Sequence, residues 1–194
     1  MSRPVVIVFA RVPRLDMVKR RLARDIGARG ALRFHRNTLS NLLRRLRTLR
    51  GVDVVIAITP GRARSDLVSR HRRIAQGCGD LGARMARAFQ MFSRRPVLLI
   101  GSDIPGISEA DIREGLHLLR GCDAIFGPAM DGGYWLVGMA GRRPASPFNN
   151  VRWSSSHALG DTIANFAGHR IHYLRHLRDI DDLRDIDDDK KVCI

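Results

Sequence analysis

Three short segments of this sequence combine residue types that could handle phosphate and a cation. The first runs from Arg11-Val12-Pro13-Arg14 to Lys19-Arg20-Arg21-Leu22 and gathers several cations where an apolar strand gives way to a helix. Guanidinium and ammonium groups beside the N–H groups of a helix start suit phosphate oxygens; a solvated basic helix start has the same composition. The second is Gly101-Ser102-Asp103-Ile104-Pro105. A carboxylate just past a buried strand can be a hard oxygen ligand for Mg²⁺ or Mn²⁺, bridging the ion to a diphosphate. It can equally cap a turn, although Ser108 is better placed to cap the helix that follows. The third is Gly127-Pro128-Ala129-Met130-Asp131-Gly132-Gly133-Tyr134-Trp135. Its adjacent glycines permit a close backbone approach to a ligand, and Tyr134 and Trp135 offer ring surface for stacking. Asp131-Gly132 is also a hairpin-turn dipeptide, so both readings stand.

The elements around these segments predict where they sit. Val5–Ala10, Val52–Thr59 and Pro96–Ile100 are short apolar runs suited to strands buried on both faces. Residues 18–49 carry helical spacing broken near Gly27 and Gly30, with Leu39, Leu42, Leu43 and Leu46 on one stripe. Ser65–Ile74 reads as weakly helical, Ala83–Phe92 as a helix, and Ser108 caps a helix to Leu119 with acids in its early turns. Asp123–Gly127 and Tyr134–Met139 read as strands, Ser154–Phe166 as a helix and Arg170–Leu174 as a last strand. Alternation of this kind predicts an α/β fold: one domain over residues 1–194, its sheet mostly parallel with helices on both faces. All three segments then fall at carboxyl ends of strands, where such sheets hold their ligands.

Composition narrows the function classes. There is no P-loop pattern and no Gly-x-Gly-x-x-Gly after the first strand. The cysteines Cys78, Cys122 and Cys193 have no zinc spacing. No apolar run approaches a membrane span and no export signal is visible, so a cytoplasmic protein without a membrane partner is expected. The net charge of +15 is lopsided, because residues 1–100 carry 23 Lys and Arg against 5 Asp and Glu. Aromatics are 6% of the chain, too few for interleaved base-stacking platforms. Solvated arginine-rich helix faces are the expected explanation, and nucleic acid is not the expected partner.

Taken in order, the motifs resemble those of the DUF2064 family, assigned as glycosyltransferases of the nucleotide-diphospho-sugar transferase (GT-A type, Rossmann-like) fold and in part to arsenosugar biosynthesis. The chain is more distantly similar to guanylyltransferases of coenzyme F420 and molybdopterin synthesis. The resemblance rests on Phe9-Ala10-Arg11-x-Pro13, Val18-Lys19-x-Arg21-Leu22 and Gly77-x-Gly79-Asp80-Leu81-Gly82-x-Arg84-Met85. It continues through Gly101-Ser102-Asp103-x-Pro105, Gly127-Pro128-Ala129-x-Asp131-Gly132-Gly133-Tyr134, Val151-x-Trp153-Ser154 and Leu177-Arg178-Asp179-Ile180-Asp181. It implies that Arg11, Lys19 and Arg21 hold nucleotide phosphates, that Gly79 and Asp80 meet base or ribose, and that Ser102 lies in the nucleotide site. Asp103 stands at the metal position, for Mg²⁺ or Mn²⁺. Asp131 is implied as a second metal contact or catalytic base, and Lys19 as a catalytic charge neutraliser. Gly132, Gly133, Tyr134, Trp153 and Ser154 face a small-molecule acceptor.

The chain departs from the family at Leu15-Asp16, where Pro-Gly is usual, and at Arg20, where threonine is usual. The loss of that glycine and the added carboxylate bear directly on phosphate binding. The implied activity is metal-dependent transfer of a sugar from a nucleotide sugar to a small acceptor. Transfer of a nucleotidyl group from an NTP to a phosphorylated acceptor uses the same parts, and the altered loop also allows a silent, polyanion-binding relative.

Overall fold

The structure, a computed structural model, describes residues 3–14, 22–61 and 65–178. Strands and helices alternate in it: β1 (Val5–Arg11), α1 (Leu22–Leu46), β2 (Asp53–Thr59), α2 (Asp66–Ser69), β3 (Arg72–Ala75), α3 (Leu81–Gln90), β4 (Val97–Gly101), α4 (Glu109–Leu118), β5 (Ala124–Pro128), β6 (Tyr134–Met139), α5 (Ala158–Ala164) and β7 (Ile171–Tyr173). Among the described residues the strands form one sheet in the order β3-β2-β1-β4-β6-β5-β7. The pairs β1–β2, β1–β4, β2–β3 and β5–β7 are parallel, and β6 runs antiparallel to both neighbours. The expected α/β class with a mostly parallel sheet is therefore the observed one.

The period of two along a strand divides the core into two layers. Val6, Val8 and Ala10 of β1 point to one face, where they meet Leu39, Leu42, Leu43 and Leu46 of α1 and Ile112 of α4. Val5 and Ile7 point to the other, against Met85, Ala88 and Phe89 of α3 and Phe166. Each fully buried leucine of the α1 stripe contributes about 1.5–3 kcal/mol by removal from water. Helix α1 is kinked at Gly27, whose φ of 74° and ψ of 158° are not helical.

Two elements differ from the sequence expectation. The weak helix expected over Ser65–Ile74 is only α2, followed by the strand Arg72–Ala75. The parallel pairing of this strand with β2 runs from Val55↔Arg72 to Ile58↔Ala75. The open edge of β2 offers hydrogen bonds that local propensity does not anticipate, and the arginines of an edge strand stay in solvent. The helix expected over Ser154–Phe166 shortens to α5 because Ser154 has a φ of 58°, outside the helical region.

Helix α4 begins with a reciprocal cap. The Ser108 hydroxyl accepts from Asp111 N–H at 3.2 Å, and the Asp111 carboxylate accepts from Ser108 N–H at 2.7 Å. That carboxylate is buried and also receives Arg175 Nε at 2.6 Å and Nη2 at 2.9 Å. Arg175 belongs to the segment after β7 that closes over the end of β5, where Leu177 carbonyl accepts from Met130 N–H at 3.1 Å. Burial alone pushes the Asp111 carboxyl up, but the Arg175 and Ser108 hydrogen bonds, with the guanidinium charge, hold it below 3.8. A depressed carboxyl stabilises the fold above its unfolded value and loses that contribution as pH falls through the folded value. Asp111→Ala should therefore cost about 2–3 kcal/mol at pH 7. The gap to wild type in urea denaturation should narrow as pH falls below 3.8; a gap independent of pH would show that the ion pair is not its source.

Candidate active site

Because β1 to β4 are parallel and β5 is turned parallel to β4 by the intervening β6, all five carboxyl ends open on one edge. The last registered pair of β1 and β4 is Phe9↔Gly101. Arg11 and Asp103 thus each lie two residues beyond that pair on neighbouring strands. Asp103 is half-buried, and its Oδ1 accepts from the hydroxyl of buried Ser102 at 3.0 Å. The expected phosphate residues Lys19 and Arg21, and the altered positions Leu15, Asp16 and Arg20, lie outside the described residues.

The glycine segment after β3 reaches the same edge and is tied down from both sides. Gln76 is buried, and its amide donates to Ala57 carbonyl at 2.9 Å and Ala10 carbonyl at 3.3 Å, at the ends of β2 and β1. From α3, Arg87 donates to Gln76 carbonyl at 2.6 Å and Cys78 carbonyl at 3.2 Å, while Arg84 Nε donates to Gly79 carbonyl at 2.9 Å. Gly79 has a φ of 95°, open to glycine and strained for other residues. Asp80 is exposed and caps α3, its Oδ1 accepting from Ala83 N–H at 2.8 Å. Sequence reasoning quoted Arg84 within the glycine motif without a role and passed over Gln76 and Arg87. It also passed over His35, a buried residue of α1 whose Nε2 donates to Arg11 carbonyl at 3.0 Å. Among the described residues the Nδ1 of His35 has no hydrogen-bond partner.

The turn between β5 and β6 completes the edge. Asp131 is exposed, and its Oδ1 accepts from Gly133 N–H at 2.9 Å, so it does serve the hairpin. Gly132 has a φ of 82°, and a Cβ there would stand 2.3 Å from Ser156 carbonyl oxygen. Its own carbonyl accepts from Leu159 N–H at 3.0 Å, docking the turn on the start of α5.

The rings are more enclosed than the sequence implied. Trp135, read as a stacking surface, is 2% exposed and donates Nε1–H to Arg175 carbonyl at 3.1 Å; alternation along β6 turns it into the core. Tyr134 is half-buried beside Phe126 and Trp153, at ring separations of 5.7 and 6.5 Å. Its hydroxyl accepts from buried Thr162 at 3.4 Å, and burial pushes its phenol well above the ordinary value, so it stays neutral at physiological pH. Trp153 is half-buried against Phe148 and Gly82, where a Cβ would come within 2.9 Å of its indole. Ser154 follows it, exposed. Trp153 therefore links the β5–β6 turn to the start of α3.

Among the described residues no group of three His, Cys, Asp or Glu side chains could hold a metal ion. A single carboxylate such as Asp103, supplemented by phosphate oxygens and water, is nevertheless an ordinary Mg²⁺ arrangement. The described residues fit an ion arriving with a diphosphate and, among themselves, form no protein-built cage.

Gly132→Ala should lower stability by roughly 2 kcal/mol or more, through left-handed strain plus overlap with Ser156. A thermal melt coincident with wild type would show that the turn does not depend on this packing.

Comparison with known proteins agrees with this architecture. The family described as "Uncharacterized protein conserved in bacteria (DUF2064)" matches residues 42–155. A protein from Desulfovibrio desulfuricans G20, assigned as a nucleotide-diphospho-sugar transferase, is 29% identical with a TM-score of 0.87, over 96% of this chain and 85% of that one. CMP:2-keto-3-deoxy-manno-octonic acid synthetase, complexed with CTP, is similar in fold at 10% identity and a TM-score of 0.62, over 99% and 98% of the two chains. Rv0371c from Mycobacterium tuberculosis H37Rv, in complex with manganese, is similar in fold at 12% identity and a TM-score of 0.53, over 96% and 97%. No curated protein matches the chain. With its family match spanning more than half of the sequence, the chain belongs to DUF2064.

Proposed function

We propose that the chain, acting as a single domain, is a glycosyltransferase that moves a sugar from a nucleotide diphosphate to a small-molecule acceptor at this carboxyl edge. The observation that carries the reading is the pairing of Arg11 and Asp103, each two residues past Phe9↔Gly101 on adjacent parallel strands. A cation and a carboxylate so placed suit a diphosphate and its counter-ion. Similarity to the Desulfovibrio protein at 29% identity supports the same class of donor.

In this reading Arg11, joined by Lys19 and Arg21, balances the charge that grows on the diphosphate as the glycosidic bond breaks. Asp103, oriented by Ser102, would hold Mg²⁺ or Mn²⁺, which screens the leaving diphosphate when bound. The braced backbone at Gly79 and the Asp80 carboxylate meet the base or ribose. Asp131 takes the proton from the acceptor hydroxyl, and Gly132, Gly133, Tyr134, Trp153 and Ser154 border the acceptor. No helix among the described residues is long and apolar enough to cross a membrane.

The test is a thermal-shift panel of UDP- and GDP-sugars and NTPs, with and without Mn²⁺, followed by turnover. One nucleotide class should stabilise wild type in a Mn²⁺-dependent way. Asp103→Asn should lose that shift and at least about 100-fold in turnover. An undiminished shift and rate in Asp103→Asn would contradict the role of this carboxylate. Pyrophosphate released from an NTP, without sugar transfer, would make the enzyme a nucleotidyltransferase; no response to any nucleotide would leave a silent relative.

A further inference from the structure

Several arginines of the first hundred residues have a use that the structure shows. Arg45 donates to Pro105 carbonyl at 2.8 Å and to Ile107 carbonyl at 2.7 Å, and Arg95 pairs with Asp53. Arg84 and Arg87 brace the glycine segment. The side chains of Arg47 and Arg70 have no hydrogen bond or ion pair among the described residues, and both line one cavity of about 590 Å³. The cavity lies between the C-terminal half of α1 and the segment around α2. Arg44 and His71 also line it, with the Ser40 hydroxyl; Asp66 is its one carboxylate among the described residues. Arg44 keeps one contact, donating to Asn41 Oδ1 at 3.1 Å. His71 is half-buried, and burial, then the Arg47 charge, push its imidazole below the ordinary value of 6.5.

Like charges turned into one concavity repel, and a bound anion relieves that repulsion. Guanidinium forks match phosphate oxygens two at a time. The volume lies in the range of small-molecule sites. None of the described lining residues is Phe, Tyr or Trp, so the stacking that secures a nucleic-acid strand has no platform here. The carboxyl edge is elsewhere. His71 precedes the amino end of β3 and Gln76 follows its other end, roughly 13 Å of strand apart.

We propose that this cavity is a second binding site, for a small, multiply charged phosphate compound held by Arg47 and Arg70 with Arg44 and His71. The assignment does not rest on the glycosyltransferase reading, since it uses none of the residues of the carboxyl edge.

Inorganic pyrophosphate is the probe. Calorimetric titration would compare wild type, the double variant Arg47→Gln/Arg70→Gln and, as control for the carboxyl edge, Arg11→Gln. The site should weaken at least about tenfold in the double variant, as loss of two charge-assisted contacts requires, and persist in Arg11→Gln. The His71 ring signals in NMR should move during the wild-type titration, which locates the ligand without any variant. Binding equal to wild type in the double variant, loss only in Arg11→Gln, fixed His71 signals, or no binding at all would each overturn the proposal. So would an oligonucleotide that needs Arg47 and Arg70 where pyrophosphate does not bind.

Discussion

Strand β1 is paired on both edges and covered on both faces along its first four residues. Val5 to Val8 are fully buried, β2 pairs along one side for seven residues and β4 along the other for five. Parallel pairing of this kind needs a crossover helix between strands, and the helices then close both faces. The chain can reach solvent from β1 only at the strand ends. Everything proposed for the carboxyl edge follows from that confinement: Arg11 and Asp103 are neighbours because their strands are locked in register, with no direct contact needed between the two loops.

A second level of constraint comes from long polar side chains that reach the loops. Gln76 ties the glycine segment to the ends of β1 and β2, Arg84 and Arg87 hold its carbonyls, and His35 holds Arg11 carbonyl from α1. Buried polar groups are satisfied in native proteins, and here the partners are the backbone atoms of segments expected to meet substrate. The edge is thus positioned by contacts from the layers beneath it. Among the described residues Asp103, Asp131 and Asp80 supply carboxylates there, and Asp80 and Asp131 each already engage a backbone N–H.

What the sequence disclosed follows physical lines. Val5–Ala10, Val52–Thr59 and Pro96–Ile100 were legible because doubly buried strands are written as unbroken apolar runs. The leucine stripe of α1 and the Ser108 cap were legible because their signals are local. Strand β3 was not, since Arg72-Arg73-Ile74-Ala75 owes its extended form to the open edge of β2. Trp135 was misread because its direction depends on which face of β6 the core claims. Asp111 and Arg175, 64 residues apart, and Gln76 with Ala10, 66 apart, meet only through the fold. The resemblance to DUF2064 could be read because its motifs are short and contiguous in the sequence.

The central claim is that the carboxyl end of the sheet receives the nucleotide diphosphate. Amide chemical-shift mapping during titration with a nucleoside diphosphate and Mg²⁺ tests it most directly. The account predicts coherent shifts at Arg11, at Gly77 to Gly82, at Ser102 and Asp103 and at Gly132 to Tyr134. A nucleotide that binds while those amides stay still, moving resonances at the opposite end of the strands instead, would contradict it.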